Sequence, residues 1–146
     1  MAYLSFYNLA LQVNVVRFVN VAHEENRLSV VAPQWRKKVV VVIGALGVAL
    51  GAFGAHALKG TLEENGSIDI WKTAVFYHLI HALVLLVITF SLKKFNHPSW
   101  FCFVGGILFF SGSLYLLALY QLSYLGPVTP LGGLMLICGW LFLLRS

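Results

Sequence analysis

Charge is scarce in this sequence. Only 10% of its 146 residues are charged and five are acidic, where a soluble domain carries about 25% charged residues. None of the five, Glu24, Glu25, Glu63, Glu64 and Asp69, lies inside a long apolar run. That absence excludes a carboxylate proton relay across a membrane, and a catalytic carboxylate pair within one. Cysteine is nearly as rare. Cys102 and Cys138 each sit in an apolar run with no CxxC or Cys/His spacing around them, which excludes a zinc site built from neighbouring ligands and leaves both expected as buried free thiols. There is no GxSxG elbow, no P-loop and no GxGxxG after a strand, so catalysis is the least supported reading. Residues 1–37 lack the charged start, long apolar region and small-residue cleavage site of a signal peptide. They carry no sustained period either, and two readings of them stay open: a short amphipathic surface segment, and an N-terminal extension of uncertain structure with no role in the rest of the chain.

What the sequence has in abundance is hydrocarbon. Hydrophobic residues make up 60% of the chain and the mean hydropathy is +0.85, a balance that makes the lipid bilayer the solvent and first partner. A helix crossing the hydrocarbon core needs about 20 mainly apolar residues. Four stretches supply them: Val39–Leu58, Thr73–Leu92, Trp100–Tyr120 and Pro127–Leu144. The links between them are short and contain Asn65-Gly66, His97-Pro98 and Gly126-Pro127, so consecutive helices are expected as antiparallel neighbours. The predicted fold is an all-α integral membrane protein, an up-down bundle of four transmembrane helices over residues 38–146.

The net charge of +5 follows the spans rather than a nucleic acid, for which nothing else in the sequence calls. Arg27, Arg36, Lys37 and Lys38 precede the first span, Lys93 and Lys94 link the second to the third, and Arg145 follows the fourth. The other side holds only Lys59 and Lys72, beside Glu63, Glu64 and Asp69. The excess of basic residues on one side places both termini in the cytoplasm of a multi-pass protein of the cell membrane, with the bacterial plasma membrane the expected one. The acidic run "LEENGSID" reads as a solvated turn on the outer side.

Glycine is the second abundance. Gly44, Gly47, Gly51 and Gly54 are spaced 3, 4, 3, which aligns them on one stripe of the first helix, and a seven-residue interval recurs as Gly105/Gly112 and Gly132/Gly139. Small residues at such spacing let helices approach closely in lipid, so these eight are expected to pack helix on helix. The histidines invite a sharper reading. His56 ends the first span, and His78 and His81 lie three apart near the start of the second, with Tyr77 beside them. If the outer ends of the two helices are level, the three imidazoles share one layer. Neutral imidazole binds zinc, copper or haem iron, so His56, His78 and His81 are candidate metal ligands with no cofactor named. The bland alternative is that they hydrogen-bond between helices. Ser111, Ser113 and Tyr115 in the third span are expected to bond to nearby backbone.

The stretches "GAFGAHALK", "YHLIHAL" and "GPVTPLGGLMLICGW", in this order, resemble the signature segments of domain-of-unknown-function family 423, to which vertebrate transmembrane protein 256 is similar. The resemblance covers roughly residues 36–146. It implies four spans, no assigned activity or cofactor, and shared positions at Gly54, Ala55, His56, His78, His81, Pro130, Gly132, Gly133, Gly139 and Trp140.

The expected function is that of a structural or accessory membrane component packing through its glycine seams, with itself as a homo-oligomer or within a larger membrane complex. Two other readings stay open: a metal- or haem-binding redox or metal-handling protein using the outer histidines, and a small carrier or channel formed by an oligomer.

Overall fold

A computed structural model describes residues 12, 16–21, 32–91 and 96–144. The chain divides into two compact units, 1–31 and 32–146. In the first, residues 16–21 are helical and exposed; most of the segment expected as an extension lies outside the described residues. So do Arg27, Lys93, Lys94 and Arg145, on which the expected orientation partly rests.

The described residues of the second unit form helices joined by short turns. Helix α1 spans Gln34–Ala55, a short α2 Lys59–Glu64, and α3 Ile68–Phe90. Helix α4 runs from His97 to Tyr120, a 3-10 turn covers Ser123–Leu125, and α5 spans Val128–Leu143. Four of these segments are long and apolar enough to cross a membrane, the last being counted from Ser123. At 1.5 Å per residue α1 is about 33 Å long, and α5 alone is about 24 Å, so the 3-10 turn completes the fourth crossing.

The helices begin earlier than their apolar runs suggest. Helix α1 starts directly after Pro33, five residues before Val39, and takes Arg36, Lys37 and Lys38 into its first turns. Cations there oppose the helix dipole, and aromatic rings offset the cost for Arg36. Its guanidinium carbon lies 5.0 Å from the Trp35 ring, 5.1 Å from Trp100 and 5.0 Å from Phe101, and Nη1 donates to Nδ1 of His97 at 2.8 Å. Helix α3 starts at Ile68, five residues before Thr73, with Asp69 in its first turn where the dipole favours an anion. Helix α4 is capped by Asn96, whose side chain accepts from the Ser99 amide at 3.1 Å. Midway, Ile107–Ser111 form a π-helical turn.

The acidic connection does more than turn. Leu62 of α2 is 1% exposed, Asn65 donates through Nδ2 to the carbonyls of Ala118 and Leu119 at 3.0 Å each, and Ser67 donates to Ala118 at 2.8 Å. These close the last turn of α4, where four carbonyls lack helical partners and no glycine follows. Gln121 takes the left-handed conformation there, φ 56°. The expectation of a merely solvated turn is therefore corrected.

Helix α1 packs on α3, α3 on α4, and α4 on α5. Two apolar clusters form the core. One joins Val40, Leu85, Ile88, Trp100, Phe103, Ile107 and Leu136; the other joins Leu62, Trp71, Ala74, Tyr115 and Ala118. Gly47, Gly51 and Gly54 face Leu79, Val75 and Trp71 of α3, while Gly105 and Gly139 face Met135 and Phe103 across the α4–α5 contact. Gly132 lies against the backbone of the π turn: a β-carbon there would stand 2.7 Å from Phe109 C and Phe110 Cα. A β-carbon at Gly44 or Gly112 would meet nothing within 4 Å. Cys102 is half-buried, but Cys138 is exposed, correcting the expectation of two buried thiols. Cys138 shares the outward face of α5 with Leu134 and Leu141, both exposed, where an apolar thiol suits lipid.

Candidate functional site

Between the two apolar clusters α3 contributes two imidazoles, His78 at 6% exposure and His81 at 5%. Burial of a polar ring among hydrocarbon is tolerable only when its nitrogens are satisfied. Both rings are. His78 Nε2 lies 3.0 Å from the carbonyl of Ile43 on α1. A carbonyl only accepts, so Nε2 carries the proton and Nδ1 offers a lone pair, which receives the Tyr115 hydroxyl of α4 at 3.3 Å. In His81 the assignment is reversed. Nδ1 donates to the Tyr77 carbonyl one turn earlier at 2.8 Å, and Nε2 accepts from the indole N–H of Trp140 on α5 at 3.3 Å. Two neutral imidazoles of opposite tautomer thus link all four long helices: α1 and α4 through His78, α5 through His81.

Aromatic rings enclose the pair. The Tyr77 ring stacks on His81 at 5.9 Å between centroids with 13° between planes, and also meets Phe110 at 4.6 Å. Phe103 lies 5.6 Å from His81 and 5.6 Å from Trp140, and Trp71 meets Tyr115 at 4.7 Å. The Trp71 indole donates to the Leu50 carbonyl at 3.1 Å, across the space that Gly54 leaves open. Such an arrangement holds helices in register and leaves neither imidazole an unused lone pair.

His56 is not part of it. It is the exposed C-cap of α1, thirteen residues beyond Ile43 and so about 20 Å along the axis. The single layer of three histidines therefore does not form. The register explains why: Gly54 is level with Trp71 and Gly47 with His78, because α3 begins at Ile68 and places His78 about 15 Å along the helix from its start. Among the described residues no three of His, Cys, Asp and Glu come together to hold a metal. Ser113 meets the expectation for polar residues in the third span, with its hydroxyl 3.0 Å from the Phe110 carbonyl, and adds a bond of 2.7 Å to Thr129 on α5. Tyr115 departs from it by bonding to His78 rather than to backbone. Trp140 was singled out by the resemblance alone, and its partner His81 lies 59 positions away, a pairing no local spacing carries.

Comparison with known proteins points to one group. The family described as "Protein of unknown function (DUF423)" matches residues 50–133, a segment that holds His56, His78 and His81. A UPF0382 membrane protein of Staphylococcus haemolyticus (strain JCSC1435) is 44% identical across 75% of this chain and 94% of its own length. The UPF0382 membrane protein YwdK of Bacillus subtilis (strain 168) is 42% identical across 73% of this chain and 93% of its own. A UPF0382 membrane protein of Staphylococcus epidermidis (strain RP62A) is 47% identical across 73% and 92%. No solved structure matches.

Proposed function

From the premise that this chain belongs to the DUF423 family, whose relatives here carry the name of membrane proteins, we propose that it is a structural or accessory component of the membrane. Its buried histidines act as interhelical struts rather than as ligands. The observation that carries this reading is the full use of both nitrogens in His78 and in His81. A metal at either ring has to displace a bond that joins two turns or two helices. We also place the protein in the plasma membrane with both termini cytoplasmic. Lys37 and Lys38 in the first turns of α1 support that orientation. Gly44, where a β-carbon would meet nothing within 4 Å among the described residues, supports packing against a second copy or a larger complex.

A double-mutant cycle tests the struts. Interhelical hydrogen bonds in membrane proteins average about 0.6 kcal/mol and reach about 1.7, so His78→Ala and Tyr115→Phe should show a coupling in that range by denaturation in micelles. Metal and haem content is measured on the same protein purified from its own membrane. Additive losses within about 0.3 kcal/mol, or near-stoichiometric metal that disappears in a folded His78→Ala, His81→Ala variant, would overturn the reading.

A further inference from the structure

Beyond the struts, the surface of α4 carries a groove that no atom of the described residues fills. One limb of about 280 Å³ runs between α1 and α4, with Ile43, Leu46 and Leu50 on one wall and Val104 and Leu108 on the other. A second limb of about 500 Å³ follows α4 past Leu116 to Leu125 and Val128. They share Leu108, Gly112 and Tyr115. Gly112 stands at the fork, in the middle of a spanning helix and touching nothing within 4 Å on its open side. Glycine in a helix interior is normally disfavoured against alanine, and here no helix among the described residues makes use of the space it leaves.

We propose that this forked groove holds the two acyl chains of one bilayer phospholipid as a resident component of the protein. The placement supports chains. Ile43 and Leu50 stand nine and sixteen residues into α1, about 14 and 24 Å from its start, so the first limb lies in the hydrocarbon layer and away from both headgroup levels. The second limb leads to the α4–α5 turn, where Tyr120 and Tyr124 are 65% and 72% exposed, as aromatic residues at a membrane interface are. The walls are mainly aliphatic, with Phe109 among them. The polar side chains that line the groove are engaged elsewhere: His78 and Tyr115 with each other and with Ile43, and Ser113 with Phe110 and Thr129. No charged side chain lines either limb, so the headgroup is not chosen by its charge. Two limbs that meet at Leu108, Gly112 and Tyr115 match the paired chains of one phospholipid.

The test uses the full chain in phosphatidylcholine vesicles containing phosphatidylcholine with a photoactivatable diazirine near the end of one chain, followed by mapping of the cross-linked peptides. Labelling is expected to concentrate on residues 43–50 and 104–116 and to fall at least fivefold in Gly112→Leu. Val48→Leu adds bulk at an exposed position of α1 that lines neither limb and should leave labelling unchanged. A phosphatidylglycerol probe should label equally. If Gly112→Leu does not fold, Leu46→Trp narrows the groove from the α1 wall and must reduce labelling likewise. Undiminished labelling in the filled groove, equal labelling of the exposed Leu131, Leu134 and Leu141 face, or strong preference for the anionic probe overturns the proposal.

Discussion

Gly132 and Gly112 look alike in sequence, each half of a seven-residue glycine pair, yet their replacement by alanine should have opposite results. At Gly132 the new methyl would stand 2.7 Å from Phe109 C and from Phe110 Cα. Both are backbone atoms of a π turn held between two helices, and neither can rotate away as a side chain does. Overpacking of this kind costs about 1–3 kcal/mol where side chains can adjust, and a backbone obstacle puts Gly132→Ala at the upper end, about 3 kcal/mol. At Gly112 the methyl meets nothing within 4 Å, so Gly112→Ala should be neutral or more stable by up to about 1 kcal/mol through helix propensity. Gly105→Ala falls between them, because the atoms it meets belong to the flexible end of Met135. The assay is denaturant-induced unfolding in micelles, followed by the fluorescence of the buried Trp71 and Trp100. Equal losses at Gly132 and Gly112 would refute the reasoning, since they would mean that seven-residue spacing alone, and not the neighbour across the helix, determines what a glycine does.

Two further expectations concern the ends of the bundle. Asn65→Ala should lose about 1–2 kcal/mol in the same assay, from the Leu119 carbonyl left without its donor and the Ala118 carbonyl left with Ser67 alone; Asn65→Asp should lose at least as much, because a carboxylate only accepts, whereas a plain turn residue before Gly66 would tolerate it. Arg36→Lys should lower stability by about 1–2 kcal/mol, since a guanidinium among three rings has no equivalent in an ammonium; unchanged unfolding would mean that only the positive charge matters there.

The four crossings were legible because long apolar runs have few alternatives, but their ends were not. Hydropathy stops at the first cation, whereas the α1 backbone continues to Gln34 because its peptide groups still need partners and aromatic rings accommodate Arg36. The spacing of Gly47, Gly51 and Gly54 puts them on one face, and in the structure that face lies toward α3. Spacing names the residues that share a face and not what lies opposite, so it groups Gly44 and Gly112 with them although a β-carbon on either would meet nothing within 4 Å among the described residues. The histidine layer failed on register. His78 and His81 do share a buried region, but the height of His56 depended on how α2 and the early start of α3 use up the connection. The α4 and α5 partners of the site, Tyr115 and Trp140, are fixed by packing over 37 and 59 positions, and no local pattern encodes that.

The π turn at Ile107–Ser111 works as a phase shifter. At 100° per residue, the twelve steps from Phe103 to Tyr115 would leave these side chains about 120° apart around a regular helix. Accommodating one extra residue in the wide turn brings the difference to about 20°, and a single helix then offers Phe103 to His81 and Tyr115 to His78 from the same side. Winding the same twelve steps as a regular helix would rotate the two halves of α4 out of alignment by about 100°, so the irregular turn is what lets one span with this spacing address two imidazoles at different depths.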